Sequence, residues 1–442
     1  MTFPAAPVDV SGRAGKADGW ALLVLWMPII GVTLVSKIAI EVGGREILIG
    51  VPAILGATML GAVSGRLQVE PARFMMYLGV CAILVAEQAF AVYAFSGTSL
   101  ALLLALHVPY IFQLRGLSDA HRADQLAHFV NLTFIICIAG ILQYFAQFLI
   151  GARYAYPIEH FTPHSFITHN YNYLNVLRYG STTYKSNGFF LLEPSFYSQT
   201  LAIGFGLEAA ARRRYWRLAT YALGFGVSFS GTGLIMMAFV LPTLMIAYRR
   251  YSLLLLLMIG GFTAVLFGES LGLGLFLERS REFESTSSSG YQRYIGPAML
   301  FGQYLWGEPQ RWLFGLGAGM MMRMTPKPIF NAAETGWAKL ILEFGLVGSI
   351  AYFLFLYTCI FRSNQPSVLR VSFAVMTLLS GILDPPVHGL IIPLLIWMAP
   401  SAPVLNPGSA DQDRAATSTS LALRPARERY PAGARSRTGI PA

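Results

Sequence analysis

The chain has 442 residues, of which 55% are hydrophobic and only 12% charged, with a mean hydropathy of +0.54. Soluble domains carry about 25% charged residues, so half that value excludes an ordinary soluble globular protein. A net charge of +10 would suggest nucleic acid in a soluble chain, but here many cations lie in short connections and one tail, the pattern of membrane topology.

The apolar residues come in blocks of about 17–25, the length that spans a hydrocarbon core of about 30 Å. In chain order the spans are predicted at 21–40, 47–65, 74–95, 98–114, 127–150, 188–210, 215–229, 232–248, 252–275, 337–361, 368–383 and 388–402, twelve in all. The first block is too long for a cleaved signal core and shows no small-residue cleavage site, so it counts as a span. Cys81, Cys137 and Cys359 fall inside apolar blocks and read as small buried hydrophobes, with no disulfide framework or CxxC spacing. The expected organisation is a cytoplasmic segment 1–20, a polytopic all-α membrane domain 21–402 and a disordered basic cytoplasmic tail 403–442. With the N-terminus inside, 20 of the 32 Lys and Arg fall inside and 12 outside. Six of those 12 belong to one long loop, and long loops weigh little in the positive-inside rule.

Two outside connections are long, 151–187 and 276–335. The first holds six tyrosines with His160, His164 and His169. The histidine spacing suits a metal, but Pro163 breaks a continuous helix and Glu159 is the sole nearby acid, so a solvated aromatic loop is expected and no metal. Tyrosines beside Arg178 also suit a sugar platform. Glu193 then lies within an apolar run, where ionisable groups face a cavity or a partner, and Pro194 is expected to interrupt the helix and free a carbonyl. SFSGTG (228–233) reads as a tight turn or close helix packing, or else as a floor where a substrate approaches the backbone. The second long loop carries Arg293, Arg311 and Lys327, and is read as the polar half of a site facing outward, since connections this long are often functional. Its Gly315, Gly317 and Gly319 make no nucleotide loop, because no GK[ST] follows. They read either as a flexible turn or as a place where backbone N–H groups approach an anion or sugar.

Together these pieces resemble the O-antigen polymerase and O-antigen ligase family, over roughly residues 127–361. The resemblance rests on the order of YKSNGFFLLEPSFYSQ (184–199), Ser-Gly-x-x-Arg (289–293), FGLGAG (314–319) and LEFGLVG (342–348). Lys185 occupies what is commonly an arginine position. In ligases a His-Asn pair precedes by eleven residues the glycine that is Gly345 here; this chain has Glu334 and Thr335 instead. That departure looks more like exopolysaccharide repeat-unit polymerases.

The resemblance implies a membrane glycosyltransferase of about twelve helices, similar to GT-C-type enzymes, at the outer face of the bacterial inner membrane with both termini cytoplasmic. It implies an undecaprenyl-diphosphate-linked oligosaccharide as donor and a sugar hydroxyl of another lipid-linked repeat unit as acceptor, with no cofactor. Membrane lipid, a chain-length regulator and export proteins are the implied partners, and nucleic acid is not. Diphosphate charge grows as the anomeric bond breaks, and arginine forks bind phosphate oxygens bidentately. Arg293 is the first residue expected there, then Lys185, Arg178 and Arg311. The acceptor must also lose a proton, and Glu334 or Glu193 is the expected base. The alternatives are ligase-like transfer to a lipid or protein acceptor, and a lipid-linked oligosaccharide transporter. A transporter needs polar groups through the membrane depth and often shows internal repeats; charges at mid-span are nearly absent here and no convincing repeat is found.

Overall fold

A computed structural model describes residues 18–42, 45–168, 171–177, 181–211, 214–252, 290–324 and 333–399. The predicted span 252–275, apart from Ser252, the tail 403–442, Arg178, His169 and Lys327 lie outside the described residues. So do residues 281–289, which include most of the SSSG stretch before Arg293.

The protein is mostly helical. Each of the other eleven predicted spans falls on a helix: α1 Gly19–Thr33, α2 Gly50–Val63, α3 Pro71–Glu87, α4 Gly97–His107, α5 Asp119–Ile150, α6 Pro194–Ala211, α7 Tyr215–Ser228, α8 Gly231–Tyr248, then α11 Gly336–Phe361, α12 Ser367–Leu379 and α13 Pro385–Ile391. Among the described residues between α8 and α11 lie shorter helices, among them α9 Gly296–Tyr304 and α10 Pro309–Phe314, and a single turn at Met320–Met324. Among the described residues, four helices are long and apolar enough to cross a membrane: Pro71–Phe90, Asp119–Ile150, Gly231–Tyr248 and Gly336–Phe361. The outer face of α5 exposes Ile135, Leu142, Phe145, Phe148 and Leu149. A contiguous apolar face on that scale marks an interaction surface rather than a water-facing one, which fits an all-α membrane protein.

Local chemistry sets the helix ends. Glu70 accepts the N–H groups of Ala72 and Arg73, and Pro71 opens α3 where its missing N–H costs nothing. Ser118 caps α5 by accepting from His121 N–H. The predicted span 98–114 stops being α-helical at His107, where Pro109 opens a 3₁₀ turn and the chain passes into a strand. The first span is also shorter than predicted: α1 ends at Thr33, and Ala39–Val42 pairs antiparallel with Arg45–Leu48. A second ribbon joins Leu67–Val69 to Phe112–Leu114. These two short ribbons are the strands among the described residues, and the protein keeps the expected all-α character.

The connections gather at two ends. At one, the Lys37 ammonium meets the Glu159 carboxylate at 2.5 Å, Ser186 N–H donates to Val227 O, Ser96 N–H to Ala318 O and Gly336 N–H to Ser380 O. At the other, Arg66 pairs with Asp18, Gln113 donates to Ala399 O, Gln365 to Met398 O and Arg250 to the carbonyls of Ala209 and Ala210. Both long loops reach the first end.

The described part of the second long loop, 290–324, is no structureless connection. Leu300, Leu305, Leu316, Met320, Met321 and Met324 form an apolar core against Ala338 and Leu342 of α11. It is a folded cap on that helix.

Candidate functional site

The approach begins with a strut. Residues 185–192 run in from the first long loop and are held by Gln143 of α5. Its side-chain oxygen accepts from Ser186 Oγ at 3.1 Å and from Phe189 N–H at 3.1 Å. The Lys37 ammonium donates to Phe189 O at 2.5 Å, and Phe189 itself adopts φ 70°. Buried polar groups must be satisfied, and here the satisfied network fixes where the chain arrives at Glu193.

Glu193 is not inside a helix as the sequence suggested. Pro194 is the first residue of α6, where proline is tolerated, so it starts the helix rather than interrupting it. Glu193 therefore stands just before the helix, with its carboxylate turned to the loops. Its Oε1 accepts Asn172 N–H at 3.0 Å and its Oε2 accepts Ser195 Oγ at 2.9 Å. Arg293 reaches the same Oε2 at 3.5 Å. The guanidinium rides on a single π-helical turn, Tyr291–Ile295, a local widening that often occurs at functional sites. Two residues predicted separately, 100 positions apart, thus meet.

Sequence reasoning missed Asp384, which stands next to them. It lies in the short connection between α12 and α13, where Gly381 N–H donates to Oδ2 at 2.6 Å and the Tyr171 hydroxyl donates to Oδ1 at 3.0 Å. Burial pushes its carboxyl above the ordinary range; these two donors pull it back, Glu193 adds an upward push and Arg293 a downward one. Tyr171 is raised well above the usual phenol value, first by burial, then by the fields of Asp384, Glu193 and Glu334. One hydroxyl thus senses all three carboxylates. The signal available in sequence was SGILDPPVHG, an acid flanked by Gly381 and two prolines between apolar runs.

Glu334 sits just before α11, as predicted, and is more than a third exposed. Lys339 ties it down: the ammonium lies 2.7 Å from Glu334 Oε2 and 3.0 Å from Glu343 Oε1. Glu343 is fully buried and explains the glycine triplet. Helix α11 breaks at Gly345, φ 61° and ψ −165°, which strips Leu342 and Glu343 of normal helical donors. Leu316 N–H and Gly317 N–H supply the replacements, at 2.9 and 3.0 Å. Gly315 N–H goes to Arg311 O, Ala318 N–H to Gln88 Oε1, Met320 N–H to Gly317 O, and Met321 N–H to Glu343 Oε1. Gly319 N–H also bonds the Glu343 carboxylate. Every N–H from 315 to 321 has an internal acceptor. The loop does hold an anion, but that anion is the protein's own Glu343. This corrects Gly315, Gly317 and Gly319 as substrate-binding residues.

The remaining candidates separate. Arg311 donates to Tyr304 O at 3.1 Å, closing the end of α9. Lys185 is buried in the strut, its N–H on Asn175 O and its carbonyl taking the Tyr156 hydroxyl. SFSGTG packs close: Gly233 N–H donates to Ser198 Oγ at 3.1 Å, and a Cβ at Gly233 would lie 2.5 Å from Ser198. His160 and His164 are both exposed.

What results is a cluster of Glu193, Glu334, Asp384, Tyr171 and Arg293 at one end of an apolar helical protein. It offers a guanidinium for an anion and several carboxylates for hydroxyl groups. No protein-family model matches the chain, and no curated protein matches it.

Proposed function

We propose that this protein is a membrane glycosyltransferase that polymerises lipid-linked repeat units. It transfers glycan from undecaprenyl diphosphate to a sugar hydroxyl of a second lipid-linked unit at the outer face of the bacterial inner membrane. The observation that carries the reading is the Arg293–Glu193 pair, set among further acids where both long loops converge. Polar investment at one end of an otherwise apolar bundle favours chemistry at that end over passage through the bundle. The gathering of alternate connections at opposite ends supports an arrangement of twelve spans with both termini cytoplasmic, in the manner of GT-C-type enzymes.

In this reading Arg293 stabilises the diphosphate as its charge grows. Preorganised cations aimed at developing charge are usually the largest catalytic contribution. Glu193 holds the guanidinium in place until the donor arrives, then exchanges part of that contact for phosphate oxygens. The carboxylates around Tyr171 orient the acceptor sugar, and one of them receives its proton.

The test is the purified protein in proteoliposomes with one defined lipid-linked repeat unit. A ladder of lengthening products is expected. Arg293→Ala should cut turnover about 10²–10³-fold, the scale for one preorganised donor, and Arg293→Lys should recover only part, because an ammonium cannot bind bidentately. Products that form only when a second lipid or protein acceptor is added would replace polymerase with ligase. A fully active Arg293→Ala would remove the site.

A further inference from the structure

We propose that Asp384 takes the proton from the acceptor hydroxyl, with Tyr171 as the residue that positions it; this rests on the glycosyl-transfer reading above. Three carboxylates act on the Tyr171 hydroxyl, and they differ in what holds them. Glu193 is engaged by Arg293 and Glu334 by Lys339. Among the described residues Asp384 has no ion-pair partner, and its two oxygens are held by neutral donors, Gly381 N–H and the Tyr171 hydroxyl. A carboxylate paired to a cation must give up that attraction to take a proton. One held by neutral donors gives up less. Each carboxylate oxygen offers about two acceptor directions, so each Asp384 oxygen keeps one.

The mount is rigid. Asp384 N–H donates to Gly381 O and Val387 N–H to Asp384 O, both at 3.1 Å, and Pro385 and Pro386 open α13 directly behind it. A Cβ at Gly381 would lie 2.8 Å from Asp384 Oδ1, so the carboxylate fits against glycine backbone. Tyr171 stacks its ring edgewise on Phe196, 6.2 Å between centroids. The next residue, Asn172, gives its N–H to Glu193. One dipeptide therefore sets the spacing between the unpaired acid and the acid that holds Arg293.

Glu193 and Arg293 act on Asp384 directly with opposite sign. Glu334, neutralised in part by Lys339, acts on the shared Tyr171. His388 on α13 faces Ile382 O and the Tyr110 hydroxyl, at 2.7 and 2.9 Å. Burial leaves the Asp384 carboxyl above the usual range, nearer to working pH, where a base is most effective.

The step balances. The acceptor O–H bond breaks and its proton passes to Asp384. The freed oxygen forms a bond to the donor's anomeric carbon. The bond from that carbon to the diphosphate breaks, and the polyprenyl diphosphate leaves with the electron pair beside Arg293.

The experiment is turnover against pH for the full-length protein in proteoliposomes with the same defined lipid-linked repeat unit. A base works deprotonated, so the wild-type rate should fall as pH drops through a value above the ordinary carboxylate range. Asp384→Asn should lower kcat about 10²–10⁴-fold, the usual worth of a general base, with the donor KM little changed. Tyr171→Phe removes a donor that stabilises the charged carboxylate, so the acid limb should move to higher pH, a shift that a merely structural tyrosine would not produce. Glu334→Gln should leave the limb where it is. The assignment falls if Asp384→Asn turns over like wild type, if the Tyr171→Phe limb stays in place, or if the limb disappears in Glu334→Gln. In those cases wild-type elongation still stands. Absence of any transfer by the wild type sinks the parent reading and this assignment with it.

Discussion

Gly315→Ala tests whether the glycine triplet is architecture or a ligand cradle. Gly315 has φ 74° and ψ −170°, a region almost confined to glycine that costs other residues about 1–3 kcal/mol. A Cβ there would lie 2.5 Å from the carbonyl carbon and oxygen of Glu343 and 2.6 Å from the N of Gly345. All three are backbone atoms of the broken helix and cannot rotate away, so overpacking adds about 1–3 kcal/mol. The loss is then about 2–6 kcal/mol, concentrated where Leu316 and Gly317 bridge the break. The assay is thermal unfolding of the purified protein in detergent, read beside donor binding. The matched control is Gly302→Ala inside α9, where a Cβ meets nothing within 4 Å and about 0.5–1 kcal/mol of stabilisation is expected. If Gly315→Ala melts with wild type yet loses donor binding, the triplet faces a ligand and the packing account is wrong.

The Lys37–Glu159 pair is almost fully buried, with side chains 2% and 1% exposed. Lys37→Met should cost about 3–5 kcal/mol by stranding a carboxylate, and adding Glu159→Gln should restore part of it in a double-mutant melting cycle; additive losses would show that the pair is not coupled. Cysteine at Ser181 should react with an impermeant thiol reagent from outside intact cells and cysteine at Ser418 only after the inside is exposed. Labelling of position 181 solely from the inside would invert the topology and remove the proposed function with it.

The helices were legible because long apolar blocks have few other stable forms in a bilayer, where each backbone polar group needs an internal partner. Their ends were less so. Hydropathy sums composition over a window and does not register that Pro109 ends α4 or that Pro194 begins α6, and the second error placed Glu193 inside a helix rather than ahead of one. The sequence singled out Arg293 and Glu193 separately, but not that they meet, since a separation of 100 positions carries no spacing rule. The glycine triplet failed for a related reason. Whether an N–H is available to a ligand depends on which carbonyls lie opposite, and those carbonyls, on Leu342 and Glu343, exist as unmet acceptors only because Gly345 breaks α11. A run of apolar residues hid the break, with Glu343 buried in its middle. With Glu343 tied to Met321 N–H and to Lys339, and Lys339 tied to Glu334, the cap built from 290–324 and the start of α11 are joined through one buried carboxylate. Arg293 and Glu334 belong to those two parts, and a second tie joins them closer to the site: Ala333 N–H, beside Glu334, donates to the carbonyl of Gln292, beside Arg293, at 2.7 Å.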